Sequence, residues 1–442
     1  MKAHTTVWTR SALQPTPERF GPHTASIDVR DRPLRVCIIS YRSNPHSGGQ
    51  GVYIRHLSKA LDQLGHRVEV ISGPPDLDLA SGVSVVRLPT LDLYDPKDPF
   101  RIPSIRELID PVNLLEWIGV STMGFPEPMT FGIRAWHFLR NRLHRYDILH
   151  DNQSLSYGIW AIRNRIPTLA TVHHPITVDR DVAVRAARGG WQKMKEMRWH
   201  SFVGMQRRVA RSLRRIITVS RAAGRDLSRD FGVDPRNVSV VPNGIDTEVF
   251  RPLPGVSRLP HRVIVTTSAD TALKGLPYLL LAVRGIARRR PIDLVVVGEP
   301  AKNGRIRRII SELRITDRVH FTGRIDSGEF VRQYARAAVA AVPSVYEGFG
   351  LPAGEAMACS VPVVSTTGGA LPEVVGDAGI LVPTASSRAL ERAIEELLDH
   401  PERARALGQA GYRRVHERFT WRRAGEQTVA VYRELIRDHR RL

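Results

Sequence analysis

Glu347-Gly348-Phe349-Gly350-Leu351-Pro352-Ala353-Gly354-Glu355-Ala356-Met357-Ala358 follows an apolar run that closes at Pro343. A strand, a glycine-rich turn and a helix are therefore expected in that order. Two glutamates eight positions apart bracket the turn. Backbone N–H groups at such a turn can hold a diphosphate or sugar hydroxyls. A carboxylate one turn into the helix only accepts hydrogen bonds, which suits the paired hydroxyls of a ribose. Two solvated carboxylates favoured by the helix dipole are the plainer reading. That reading leaves Gly348 and Gly350 around an aromatic without a reason.

Outward from this stretch, short apolar runs alternate with segments of helical spacing. In the second half the runs are 263–266, 294–297, 319–322, 339–342 and 361–365, with helices expected over 275–288 and 328–338. In the first half they are 34–39, 68–71, 83–88, 148–149, 168–172, 216–219 and 238–241. Strand, helix, strand alternation implies parallel sheets with right-handed crossovers. The fold class is α/β, with two Rossmann-like doubly wound domains. The expected division is a flexible leader at 1–31, a first domain at 32–255 and a second at 256–420. Two such sheets face each other across a cleft lined by the carboxyl ends of their strands, where ligands bind. Residues 91–145, with several prolines, Trp117 and Trp136, read as an insertion of short helices near the strand ends.

The other glycine-rich loop, Ser47-Gly48-Gly49-Gln50-Gly51, joins the first strand to the helix carrying Tyr53, Leu57, Leu61 and Leu64. It lets a ligand approach the backbone at a helix start. Its order differs from the dinucleotide pattern Gly-x-Gly-x-x-Gly, and Ser72-Gly73-Pro74 stands where a ribose-binding acid is needed, which argues against NAD.

Together these segments resemble the retaining glycosyltransferases of the GT4 family. The likeness rests on the Glu-x7-Glu stretch, the glycines at 48–49, Thr171-Val172-His173, and the segment 217–220. It extends to Pro242-Asn243-Gly244-Ile245-Asp246, Lys274-Gly275, Phe321-Thr322-Gly323, Gly368-Gly369 and Phe419-Thr420-Trp421. The resemblance implies the GT-B fold, with a closing helix at about 421–442 returning to the first domain. It implies catalytic roles for His173, Lys274 and Glu347. Donor contacts fall to Gly49, Gly323, Arg324, Gly348, Phe349, Gly350, Leu351 and Glu355. Lys274 would neutralise the diphosphate leaving group, whose charge grows as the glycosidic bond breaks. His173 would meet the donor sugar, His174 being the alternative, and Glu355 the ribose. The co-substrate is a nucleotide-diphosphate sugar, and no cofactor or metal is implied. The sequence departs from the family in one place: Ser268-Ala269-Asp270 stands where an arginine usually forms a second phosphate clamp. Arg324 and Arg305 are the candidates to replace it.

Asp76-Leu77-Asp78 spells the acidic motif of metal-dependent transferases, but its proline-rich surroundings read as a solvated turn. A sugar-nucleotide epimerase lacks this Glu-x7-Glu context, and a pyridoxal lysine motif of phosphorylases is not found. With 65 Lys and Arg against 44 Asp and Glu, the chain carries +21 and favours anionic partners. Its arginines are scattered over helical faces rather than interleaved with an aromatic platform, so no specific nucleic-acid partner is expected. Two cysteines, Cys37 and Cys359, and no signal-like apolar stretch point to the cytoplasm.

The acceptor is not legible, and two classes stay open: a lipid-linked or amphiphilic molecule, and a soluble sugar or metabolite. Residues 180–215 hold eleven Lys or Arg against Asp181 and Glu196. Met194, Met197, Phe202, Met205, Val209 and Leu213 recur there at helical spacing, with Trp191 and Trp199 nearby. This pattern fits an interfacial helix on the anionic inner face of the plasma membrane, and equally a helix packed on the sheet.

Overall fold

The computed structural model describes residues 32–42, 49–75, 77–95, 98, 101–187, 189–267, 271–302 and 304–441. The expected leader, Ser47 and Gly48 of the first glycine loop, Asp76, and Ser268 to Asp270 lie outside the described residues. Every element below belongs to one unit, Pro33–Leu442. Among the described residues no helix is long and apolar enough to cross a membrane.

Seven strands form the first sheet: β1 (Arg35–Ser40), β2 (Arg67–Ser72), β3 (Ser84–Arg87), β4 (Ile148–Asn152), β5 (Thr168–Val172), β6 (Ile216–Thr218) and β7 (Val238–Val240). Six form the second: β8 (Leu259–Thr266), β9 (Asp293–Val297), β10 (Val319–Phe321), β11 (Ala337–Val342), β12 (Val363–Thr366) and β13 (Ile380–Val382). The orders are β3-β2-β1-β4-β5-β6-β7 and β10-β9-β8-β11-β12-β13. All pairings are parallel. Helices cover both faces, so the inner strands are buried on both sides and read as continuous apolar runs. Leu276, Val283 and Ile394 fill one face of the second sheet, while Met357, Val363 and Val415 fill the other.

This order gives each sheet one switch point, where chain progression reverses: between β1 and β4 in the first, and between β8 and β11 in the second. Crevices at carboxyl strand ends open there. The second sheet carries the Lys274 loop after β8 and the Glu347 turn after β11. The helix Trp421–Arg440 then returns to the first half. Gly425 packs on Ala60 of the helix Gly49–Gln63 and on Leu64 just after it, and Trp421 stacks on His56 at 5.1 Å.

The insertion between β3 and β4 folds into the helices Ile105–Leu108, Pro111–Ser121 and Glu127–Leu139. Ser104 and Asp110 cap the first two, and the buried Arg134–Glu116 ion pair at 2.6 Å ties the last two together. The basic region falls into the helices Thr177–Ala186, Gly190–Trp199 and Val203–Ser212. Its apolar stripe divides. Phe202, Met205, Val209 and Leu213 are buried against the first sheet, whereas Met194 and Met197 remain exposed.

Candidate active site

Gly275 fixes the approach of Lys274. Its φ is +66°, and a Cβ there would fall on the carbonyl oxygen of Pro343. Only glycine lets the loop after β8 lie so close to the end of β11. Val345 N–H donates to Leu273 O at 2.7 Å and stitches the two loops together. Lys274 Nζ then donates to Glu347 Oε1 at 2.8 Å, and Ser344 Oγ donates to the same oxygen at 2.8 Å. Ala370 N–H, after the Gly368-Gly369 pair, donates to Glu347 O at 2.9 Å and holds the turn from the other side.

The turn delivers Gly350 as the cap of the helix Leu351–Ala358. That helix start is a source of unpaired N–H groups and positive field. Phe349 is buried and meets Phe419 edge-on at 5.7 Å, so its backbone is what it offers a ligand. Glu355 is partly buried. Burial raises its carboxyl to about 7, while the Tyr334 hydroxyl, 3.5 Å from Oε2, and the charge of Lys274 pull it back down. Thr266 Oγ1 lies 3.0 Å from the same tyrosine oxygen and orients it.

In the first half, His173 directly follows β5. Its N–H donates to Gln153 Oε1 at 2.8 Å, and its Nε2 lies 2.9 Å from Asn152 Oδ1. Asn152 Nδ2 donates to Ser40 Oγ and to Gln50 O, which leaves Oδ1 as the acceptor. Nε2 therefore carries the proton and Nδ1 the lone pair. Burial, reinforced by His174 and His150, lowers His173 to about 3, so the ring is neutral at physiological pH. Tyr53 presses edge-on against it at 4.8 Å. Behind lies a buried chain in which Tyr53 OH meets Thr171 Oγ1 at 2.9 Å and Thr171 Oγ1 meets His150 Nε2 at 2.7 Å. His150 Nδ1 meets Tyr432 OH of the returning helix at 2.5 Å. His174 instead pairs with Asp179 at 2.8 Å.

Gly348 joins the two halves. A Cβ there would lie 2.7 Å from His173 O, and its own carbonyl accepts from Ser220 Oγ at 2.7 Å. Glu373 of the second half caps the helix Arg221–Asp226 by accepting from Arg221 N and Ala222 N at 2.9 and 2.8 Å. His173, Gly348, Glu347 and Lys274 are thus brought to one place, with Glu355 behind the turn.

This cluster is the candidate donor site. Residues 47–249 match the family model described as Glycosyltransferase Family 4, and 256–414 the model described as Glycosyl transferases group 1. The MMP α-(1→4)-mannosyltransferase of Mycolicibacterium hassiacum is 46% identical over 408 residues, spanning 91% of this chain and 98% of that protein. The chain belongs to glycosyltransferase family 4. The sucrose-phosphate synthase of Thermosynechococcus elongatus superposes with a TM-score of 0.70 at 24% identity, covering 92% of this chain and all of that one (100%). The Anabaena protein HepE, solved in complex with UDP and glucose, gives 0.64 at 17%, covering 90% and 99%. At these identities both show the GT-B fold alone.

Other expected residues of this glycosyltransferase lie further out. Gly49 opens its helix with nothing within 4 Å of a Cβ position. Gly323, at φ +65°, bridges Gly298 at the ends of β10 and β9. Arg324 and Arg305 are exposed, and Leu351 is partly buried at the helix start. Asp78 is exposed and lies 3.5 Å from Arg55 Nη2. Asn152, Gln153 and Glu373 lie in none of the motifs, while Tyr53 and Ser220 enter only as a helical-spacing residue and as part of segment 217–220. The polar run His150-Asp151-Asn152-Gln153-Ser154 is the signal that marks the first two: its residues are all buried, and buried polar side chains need partners.

Proposed function

We propose that this glycosyltransferase moves a hexose, with retention of configuration, from a nucleotide-diphosphate sugar to an acceptor held by the first half. The observation that carries the reading is Lys274 Nζ at 2.8 Å from Glu347 Oε1, at the switch point of the second sheet and next to Gly348, which packs on His173 O. With donor bound, Lys274 turns from Glu347 to the diphosphate and stabilises the charge that develops as the sugar leaves. The N–H groups of Gly350 and Leu351 assist from the helix start. Glu355 takes the ribose hydroxyls. Glu347 faces the donor sugar, and the Nδ1 lone pair of His173 accepts from one of its hydroxyls. The leaving phosphate helps deprotonate the acceptor, which attacks the face the phosphate leaves.

The likeness to a mannosyltransferase at 46% identity supports mannose as the hexose. A nucleotide diphosphate is the leaving group that one cation beside a helix start suits. Lys274 and the helix dipole take the place a metal cation holds in other transferases, so transfer is expected to survive excess EDTA. Arg324 is the candidate second clamp on the phosphates. A thermal-shift screen of UDP, GDP and ADP hexoses tests the reading, because a ligand at about a hundredfold its Kd stabilises by roughly 2.7 kcal/mol. The correct donor raises the melting temperature. No shift with any of them contradicts the site.

A further inference from the structure

Six large apolar side chains stand in solvent on two segments of the first half. Ile102, Ile105 and Ile109 flank the helix Ile105–Leu108, with Ile105 85% exposed. Trp191, Met194 and Met197 line the helix Gly190–Trp199, with Trp191 65% and Met197 63% exposed. The insertion meets the end of that helix where Arg198 Nη2 donates to Thr122 Oγ1 at 2.8 Å. Along the helix Gly190–Trp199 the large side chains recur at every third position as one apolar edge, which a soluble surface rarely leaves uncovered.

Charge on the same elements narrows what can cover them. Arg106, Lys193, Lys195 and Arg198 are exposed. Of the nearby acids, Glu107 is paired with Arg101, Asp110 caps Val112 and Asn113, and Glu196 is partly buried. A second copy of the chain on this face would set the two sets of lysines against each other. Tryptophan, methionine and isoleucine among lysines suit a lipid headgroup boundary, where the apolar tips enter and the ammonium groups meet anionic lipid.

The face also continues into the cleft. Trp199 stacks on Phe125 at 5.1 Å, and the Arg42 guanidinium lies over Phe125 and Tyr94 at 5.2 and 4.8 Å. Arg42 follows the end of β1 and pairs with the buried Glu127 at 2.5 Å. An aromatic path thus leads from the exposed face to the switch point of the first sheet.

We propose that the Ile102–Ile109 and Trp191–Met197 segments dock on an anionic membrane surface and open the first half toward an acceptor presented there. The purpose rests on the transferase reading, but docking itself is measured without donor or acceptor, so the two fail separately. The experiment is co-sedimentation of the full chain with sucrose-loaded vesicles at roughly 150 mM salt. One vesicle set is phosphatidylcholine alone, and the other contains about one third phosphatidylglycerol. The wild type is expected to pellet with the anionic vesicles and stay in the supernatant with the neutral ones. Changing Trp191, Met194 and Met197 together to serine should lower partitioning at least about tenfold. Lys193→Glu and Lys195→Glu should each lower it by roughly fivefold or more. All these side chains are exposed, so the variants keep the wild-type melting temperature. Wild type left in the supernatant with both vesicle types overturns the proposal, as does equal pelleting of the serine variant. A dimer in light scattering without vesicle binding assigns the face to self-association and equally overturns it.

Discussion

Lys274 and Glu347 lie 73 positions apart in the chain and 2.8 Å apart in space. The pairing exists because β8 and β11 are neighbours although β9 and β10 intervene in sequence. It puts one cation where the carboxyl ends of two strands diverge. With the donor absent, the carboxylate keeps that cation in place.

Lys274→Ala should therefore lower kcat/KM by about a hundred- to a thousandfold, the cost of removing one charge-stabilising group. Its side chain is partly exposed, so the melting temperature should stay near wild type. Steady-state kinetics and a melting curve on the same preparation check this. Near-normal turnover would remove Lys274 from the mechanism.

Glu355 gives the account a pH signature. Its carboxyl is raised to about 7 by burial, and ribose hydroxyls bind the ionised form, so donor binding expels a proton. The sign follows: affinity is complete above about pH 7 and falls as the pH drops through that value. Kd for the nucleotide sugar should rise about tenfold from roughly pH 8 to pH 6. The intact sugar nucleotide is the right probe because its diphosphate does not titrate in this window. Glu355→Gln should bind more weakly and show a flat profile. A flat profile in wild type would mean that Glu355 does not meet the ribose.

Two glycines should part company. Gly275→Ala must place a Cβ on Pro343 O at a φ of +66°, so we expect a loss of at least about 2 kcal/mol in chemical denaturation. Gly49→Ala meets nothing within 4 Å, so its stability should stay within about 0.5 kcal/mol of wild type. Any loss of turnover there would then report ligand approach rather than folding.

Tyr432 belongs to the last helix and His150 to β4, so their 2.5 Å contact clamps the returning helix to the first sheet. Tyr432→Phe leaves a buried imidazole nitrogen without its partner and should cost about 1–3 kcal/mol. Retained stability would show that apolar packing alone docks the helix.

The alternation of apolar runs was enough to read both sheets, because parallel strands buried on two faces advertise themselves. The run expected at 168–172 is β5 residue for residue. β4 was read as 148–149 yet continues to Asn152, because His150, Asp151 and Asn152 are buried polar groups that hydropathy cannot count as strand. β13, Ile380–Val382, was not among the expected runs, although β6, β7 and β10 are equally short and were. The stripe at 194–213 has helical spacing throughout, but a break at His200–Phe202 turns its second half onto the sheet and leaves the first outside. Spacing fixes which residues share a face, and only tertiary packing fixes what that face meets. The contact between His173 O and Gly348 depends on how two sheets meet, which no local pattern encodes.

Isothermal titration of wild type and Lys274→Ala with a nucleoside diphosphate and its monophosphate tests the central claim most directly. The nucleoside should be the one whose hexose shifts the melting temperature. Wild type should bind the diphosphate at least about tenfold more tightly than the monophosphate, the distal phosphate meeting Lys274, and the variant should lose that preference. A variant that still prefers the diphosphate by the wild-type margin would contradict the assignment of Lys274 to the leaving group.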